Sequence, residues 1–424
     1  MHVLFIAAGD FFSTYGGGQV YVRNVVDEML RQGSARVSVL SFNGTKGLEE
    51  KVYHDTCTIY QTGDMSDGEM MALVTRLKPD LVHAHSHKAQ ACRVGRTAGV
   101  PVVVTAHHGG IVCPAGTLLD CEDRICSSTV SHEHCLKCVM RPMRGGLAAF
   151  RLLRHLPANV YVGIGRGLKR LPFIYFVSPL GGAALSVKEK KDEWDCVARA
   201  SSLVLAPSLA IKESMLRNGL ENNKVVVLPH GIPLPSASCA MPKVREGVRF
   251  FYVGRISYVK GLHVMLEAFH RLDNPNAAMH LIGGSGNKQE QRYEEELKQR
   301  YRDDQRVVWH GKVRPEDVFS VIKDFHVLVA PSVYLEVFGL NIAEALSLGR
   351  PVLASRCGGA EMQIKDGVNG WLVTPNDVDS MADAMEKIAA FSDAELHSMA
   401  VHCHALPIER HCKQLMQIYS ELTN

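Results

Sequence analysis

Four charged residues in the second half of the chain have the types and spacing to hold a phosphate-bearing ligand. Glu336 stands in a loop after the β-branched run Val327 to Ala330, and Glu344 follows eight residues later inside a helical pattern. The helix start between them would turn the backbone N–H groups of Phe338, Gly339, Leu340 and Asn341 outward, where they can hold a phosphate, while the carboxylates accept hydrogen bonds from hydroxyls. The plain alternative is a solvated Glu336 and a Glu344 that merely favours an early helical position. Upstream, Arg255 and Lys260 follow the strand Phe250 to Val253. A planar guanidinium fork and a compact ammonium together suit a diphosphate and would neutralise it as a leaving group; taken singly, each is more commonly a surface charge.

The first half offers two further candidates. Gly17 and Gly18 lie in the turn Tyr15-Gly-Gly-Gly-Gln, which follows the first strand and opens a helix, and glycines let the backbone approach a ligand closely. The spacing Gly-x-Gly-x-x-Gly is missing, which weakens a dinucleotide-dependent oxidoreductase reading. His107 and His108 follow the strand Val102 to Ala106, so an imidazole should reach the sheet edge. His107 is the one singled out; His83, His85 and His87 fit a hydrogen-bonded structural role better.

These residues need two sheets to position them. In the first half, Val3 to Ala8, Val37 to Phe42, Leu81 to Ala84, Val102 to Ala106 and Leu203 to Ala206 read as strands of a doubly wound parallel sheet. After a Pro-, Ser- and Ala-rich stretch at Pro233 to Lys243, a second series runs through Phe250 to Val253, Met279 to Ile282, Val307 to His310, Val327 to Ala330, Pro351 to Ala354 and Trp371 to Val373. The expected fold is α/β, with two Rossmann-like domains facing a cleft, since such sheets bind ligands at the carboxyl ends of their strands. The expected division is 1–235, 245–405 and a terminal helix, 406–424, packing on the first domain.

The 424 residues, 46% hydrophobic with a formal charge of +3, describe a globular chain without the basic footprint of a nucleic-acid binder. The apolar start, Met1 to Ala8, lacks a basic leader, and the uncharged stretch Leu171 to Val187 is broken by Pro179, Gly181 and Gly182, short of a membrane span. With twelve cysteines and no export signal, the chain is expected in the cytoplasm with its thiols reduced or metal-bound.

Two segments stand apart. Cys113, Cys121, Cys126, Cys135 and Cys138 fall within 26 residues and end in Cys-x-x-Cys, a half-site for a structural zinc; free thiols or a regulatory disulfide are the alternatives. From 137 to 188 no acidic residue occurs, while Lys137, Arg141, Arg144, Arg151, Arg154, Arg166, Lys169, Arg170 and Lys188 interleave with Phe150, Leu152, Leu153, Leu168, Phe173, Tyr175 and Phe176. Such a block could lie peripherally on an anionic membrane, or simply be a basic helical face.

In order, the motifs resemble those of the retaining GT-B glycosyltransferases, family four (glycosyl transferases group 1), over nearly the whole chain. Gly17-Gly18 is similar to the family's glycine turn, His107 to its strand-end histidine, and Gly254 to Gly261 to its Gly-Arg-x-x-x-x-Lys-Gly. Glu336 and Glu344 match its paired glutamates, and Pro229-His230-Gly231-Ile232 its Pro-Asn-Gly-Ile, with His230 in place of asparagine. The resemblance implies a nucleotide diphosphate sugar (UDP or GDP) as donor, a glycan or lipid-linked acceptor on the first domain, and a polysaccharide or lipopolysaccharide pathway. It further implies retention of configuration and no catalytic metal. Arg255 and Lys260 would bind the diphosphate, Glu336 the transferred sugar and Glu344 the ribose. Gly17-Gly18 would approach the phosphate from the opposite domain, with His107 beside the sugar. A non-catalytic sugar-nucleotide scaffold and a GT-B epimerase are the competing readings.

Overall fold

Strand-forming runs alternate with helices along almost the entire chain. The structure, a computed structural model, describes residues 1–12, 16–142, 146–153, 155–171, 179–235, 240–244 and 247–424. It divides into two compact units: the first holds Met1–Ser13, Met29–Leu228 and Met416–Asn424, the second Thr14–Glu28 and Pro229–Leu415. The expected domain linker falls partly outside the described residues, as do Arg144, Arg154, Phe173, Tyr175 and Phe176 of the basic segment.

In the first unit, eight strands form one sheet: β1 (His2–Ala8), β2 (Arg36–Phe42), β3 (Glu49–Tyr53), β4 (Cys57–Thr62), β5 (Leu81–Ala84), β6 (Val102–Thr105), β7 (Leu203–Ala206) and β8 (Val225–Val227). Their order is β3-β4-β2-β1-β5-β6-β7-β8. Every pair is parallel except β3 with β4. Strands β5, β6 and β7 are buried throughout, the signature of a parallel sheet covered on both faces, and valine and leucine supply most of that surface.

Six parallel strands make the second unit's sheet: β9 (Arg249–Arg255), β10 (Ala278–Gly284), β11 (Val307–Gly311), β12 (Val327–Ala330), β13 (Val352–Ser355) and β14 (Gly370–Val373). The order is β11-β10-β9-β12-β13-β14. The order in which the chain adds strands reverses between β9 and β12, which makes this the switch point, where loops after adjacent strands diverge and leave room for a ligand. Arg255 ends β9, and the Glu336 loop follows β12.

The doubly wound architecture of both units matches the expected fold class. Three strands, β3, β4 and β8, lie outside the sequence expectation. Strand β3 reads Glu-Glu-Lys-Val-Tyr and is largely exposed at the sheet edge, so it lacks the apolar run that marks a parallel strand. Of the terminal helix Ile408–Thr423, residues from Met416 onward group with the first unit and the preceding ones with the second. Residues 14–28, at the glycine turn, also group with the second unit.

Candidate functional site

The Gly-Arg-x-x-x-x-Lys-Gly turn is held against the end of β12 by its last glycine. Gly261 has φ +73°, and a Cβ there would sit 1.8 Å from the carbonyl oxygen of Pro331. Only glycine allows that approach. Val333 N donates to the Val259 carbonyl at 3.0 Å, closing the same contact from the other side.

This seating delivers Lys260 to Glu336. Lys260 Nζ donates to Glu336 Oε2 at 2.5 Å, and the two side chains are only 19% and 15% exposed. Ser332 Oγ donates to the same Oε2 at 3.1 Å and Tyr334 OH to Oε1 at 3.1 Å. Burial alone would push the Lys260 ammonium down; the Glu336 carboxylate, with Tyr334 and Tyr252 behind it, reverses this and holds it well above its ordinary value. Burial likewise works to raise Glu336, but Lys260 and the two hydroxyl donors bring its carboxyl below the usual range. The pair is therefore ionised, and Lys260 is a paired cation rather than an isolated one.

Arg255 is different. Its side chain is 56% exposed, with Glu290 Oε1 at 3.5 Å from Nε, so its guanidinium remains open to solvent and to a ligand. Tyr252 OH donates to the Arg255 carbonyl at 2.6 Å and fixes the strand end from which the guanidinium projects.

The Glu336 loop is pinned by the turn after β13. Glu336 N donates to Cys357 O and Gly359 N to Glu336 O, both at 2.8 Å, while Gln363 Nε2 donates to Phe338 O at 2.5 Å. The helix Leu340–Ser347 then starts from Gly339 at φ +85°, with no side-chain cap and no acidic residue in its first turn. Ile342 N donates to the Asn341 side-chain oxygen at 3.1 Å, which leaves the N–H groups before it for an outside acceptor. Asn341 Nδ2 donates to Val253 O at 3.1 Å, tying that helix start to the end of β9. Glu344, one turn further on, is half-buried, and burial pushes its carboxyl up to about 7.

Gly17 belongs to the same unit. A Cβ on it would lie 3.1 Å from Leu340 Cδ1, so the glycine turn packs on the helix start itself. Its helix is anchored there by Tyr21, whose buried OH lies 2.7 Å from His411 Nε2 and whose ring lies 3.9 Å from that of His230. His230 in turn packs against Phe338 at 5.2 Å. The structure therefore gathers Gly17, Gly18, Arg255, Lys260, Glu336, Phe338, Gly339, Leu340, Asn341 and Glu344 into one unit. Sequence reasoning missed Ser332 and Tyr334, the hydroxyl donors to Glu336; their only signal is their place in the loop before it.

In the first unit, His107 is half-buried after β6, with Nε2 2.7 Å from His85 Nδ1. His83 is a structural residue: its two ring nitrogens lie 2.5 Å from Tyr419 OH and 2.7 Å from Thr105 Oγ1. Burial, with the Lys88 and Lys190 charges, pushes His108 down to about 4.

The cysteine segment is a turn-rich knob. Leu119 and Ile125 form an isolated antiparallel bridge, and the helix His132–Met140 carries Cys135 and Cys138. Arg141 holds Asp123 with two bonds of 2.9 Å, docking the bridged loop onto the helix end. Burial pushes the Cys135 thiol up to about 11 and Cys138 up to about 12, and Cys113, Cys121 and Cys126 are near enough to contribute. All five are free thiols. Among the described residues, no three His, Cys, Asp or Glu side chains lie grouped as they would around a metal ion.

Comparison with known proteins bears on the whole chain. The family profile described as Glycosyltransferase Family 4 matches residues 15–114, and that described as Glycosyl transferases group 1 matches residues 242–399. An uncharacterized glycosyltransferase of Methanocaldococcus jannaschii is 34% identical over 137 residues, 32% of this chain and 34% of that protein. The O-antigen chain mannosyltransferase C of Escherichia coli is 28% identical over 202 residues, 46% of this chain and 51% of its own. The chain thus spans between a third and about half the length of these curated relatives. Among solved structures, Anabaena HepE in complex with UDP and glucose shares the fold, with a TM-score of 0.65 at 18% identity over 99% of both chains. Matched by one profile in its first half and the other in its second, and built of two parallel-sheet units as its structural neighbours are, the chain belongs to the GT-B glycosyltransferases of family four, glycosyl transferases group 1.

Proposed function

We propose that this protein transfers a sugar from a nucleoside diphosphate sugar to a glycan or lipid-linked acceptor in lipopolysaccharide or polysaccharide assembly. The observation that carries the reading is the buried, ionised Lys260–Glu336 pair beside a helix start that opens on a glycine. The helix start and the open Arg255 guanidinium bind the diphosphate. Lys260 meets it with a charge that Glu336 keeps protonated, and so stabilises the diphosphate as it leaves. Glu336 retains acceptor capacity for a sugar hydroxyl, since a carboxylate has about four lone-pair sites and three are occupied. Glu344 takes the ribose hydroxyls.

Transfer in this reading proceeds without a metal and with retention: the acceptor hydroxyl attacks the face the diphosphate leaves and passes its proton to a departing phosphate oxygen. By the family resemblance, His107 hydrogen-bonds the transferred sugar. The pathway is supported by the mannosyltransferase relative, whose name places it in O-antigen assembly, and a uridine donor by the UDP complex of the structural neighbour.

Contact with an anionic membrane belongs to the same proposal. Leu147 and Leu171 are 43% and 54% exposed, and Arg151, Arg166 and Arg170 are exposed in the same segment. No helix among the described residues is long and apolar enough to cross a membrane.

Purified protein incubated with UDP- and GDP-sugars and lipopolysaccharide-type acceptors tests the function by nucleotide release and by the anomeric configuration of the product. Donor binding without release under every acceptor would identify a scaffold, and a changed sugar still on its nucleotide would identify an epimerase.

A further inference from the structure

His85 and His107 follow neighbouring parallel strands, β5 and β6, which run in register from Val82↔Val102 to Ala84↔Val104. That register brings both rings to one edge of the sheet, where His85 Nδ1 lies 2.7 Å from His107 Nε2. At this distance one nitrogen must carry a proton and the other a lone pair.

His85 is the fixed member. It is 4% exposed, its ring lies parallel to Phe5 at 5.7 Å, and its backbone N donates to the Ile6 carbonyl at 2.9 Å. Its own carbonyl accepts from Lys88 Nζ at 2.6 Å. Behind it, 4.1 Å away ring to ring, stands His83, held at both nitrogens by Tyr419 and Thr105. A ring so confined ties its neighbour's proton to its own: a proton on His85 Nδ1 leaves that of His107 on Nδ1, and a bare His85 Nδ1 draws it to Nε2.

We propose that His85 is the positioning residue of His107: one ring-to-ring N–H···N bond fixes the orientation of His107 and sets its neutral tautomer through that of the confined His85 ring. His107 Nδ1 then meets a hydroxyl of the transferred sugar in one hydrogen-bonding sense. This last step rests on the role of His107 proposed above; the ring pairing itself does not.

Long-range proton–nitrogen spectra of the ligand-free, histidine-labelled full chain test the pairing, with the His107 signals identified by their loss in His107→Gln. Wild type is expected to show one tautomer at His107. His85→Phe keeps the ring against Phe5 and removes both nitrogens, so it should give shifts averaged between tautomers. His85→Asn places an amide where Nδ1 stood and should recover a single form. In turnover, His85→Phe should lower kcat/KM on the order of tenfold, and His85→Asn should regain most of that. Averaged His107 shifts in wild type, or shifts unchanged in His85→Phe, overturn the proposal; the wild-type spectrum decides this even should the phenylalanine variant not fold. A clean tautomer change in a protein that transfers no sugar would sink the functional reading alone.

Discussion

Lys260 and Glu336 come from loops after different strands, yet the ammonium reaches the carboxylate at 2.5 Å. Removing one partner of such a buried pair leaves the other charge stranded, at a cost of about 3–5 kcal/mol. Glu336→Ala should therefore lose stability as well as activity. Glu336→Gln, which keeps the volume and one acceptor oxygen but not the charge, should lose less stability than Glu336→Ala while turnover falls on the order of a hundredfold. Parallel melting curves and nucleotide-release rates check this; a glutamine variant at full rate removes Glu336 from the chemistry.

Tyr334 offers a finer probe. Its hydroxyl donates to Glu336 Oε1, and Tyr334→Phe should cost roughly 1 kcal/mol of stability, with a tenfold or smaller loss in rate. A larger kinetic effect at unchanged stability would mean that Tyr334 touches the ligand directly, which donor titration of the variant would reveal as weakened binding.

Gly261→Ala should be among the most damaging single-methyl changes in the chain. The new Cβ would collide with the Pro331 carbonyl at 1.8 Å in a backbone conformation of φ +73°. We expect several kcal/mol of destabilisation and loss of donor binding, because the turn can relieve the clash only by carrying Lys260 away from Glu336. Calorimetry with and without UDP measures both effects.

Glu344 sets a pH dependence. Its carboxyl is raised to about 7 by burial, so between about 4.5 and about 7 the folded protein binds more protons there than the unfolded chain. Stability from this group is therefore full below about 4.5 and falls as pH rises through about 7. Glu344→Gln should be more stable than wild type at pH 8, by on the order of 1–2 kcal/mol for a half-buried site, and indistinguishable at pH 4.5. Denaturant curves at the two pH values decide it; equal differences at both would mean that Glu344 titrates normally.

Much of this was legible in the sequence because the informative residues sit in short, locally coded turns. Gly254 to Gly261 and Glu336 to Glu344 announce themselves by spacing, and β5, β6, β7 and β12 by their short, mostly apolar runs. Strand β3 was not legible, since Glu49 to Tyr53 pair along an exposed edge where no apolar run is required. Nor was the pairing of Lys260 with Glu336, which depends on how closely Gly261 approaches Pro331, a tertiary fact that no local pattern encodes. His85 was read as structural; its bond to His107 arises from the register of two strands and has no signature in either segment.

One property of the second unit bears on how the protein is made. Tyr21 leaves the ribosome 390 residues before the imidazole that meets its hydroxyl, on His411. A ribosome must therefore deliver everything between them before this half can be completed, and a fragment beginning at Pro229 would surrender the helical segment that covers His230.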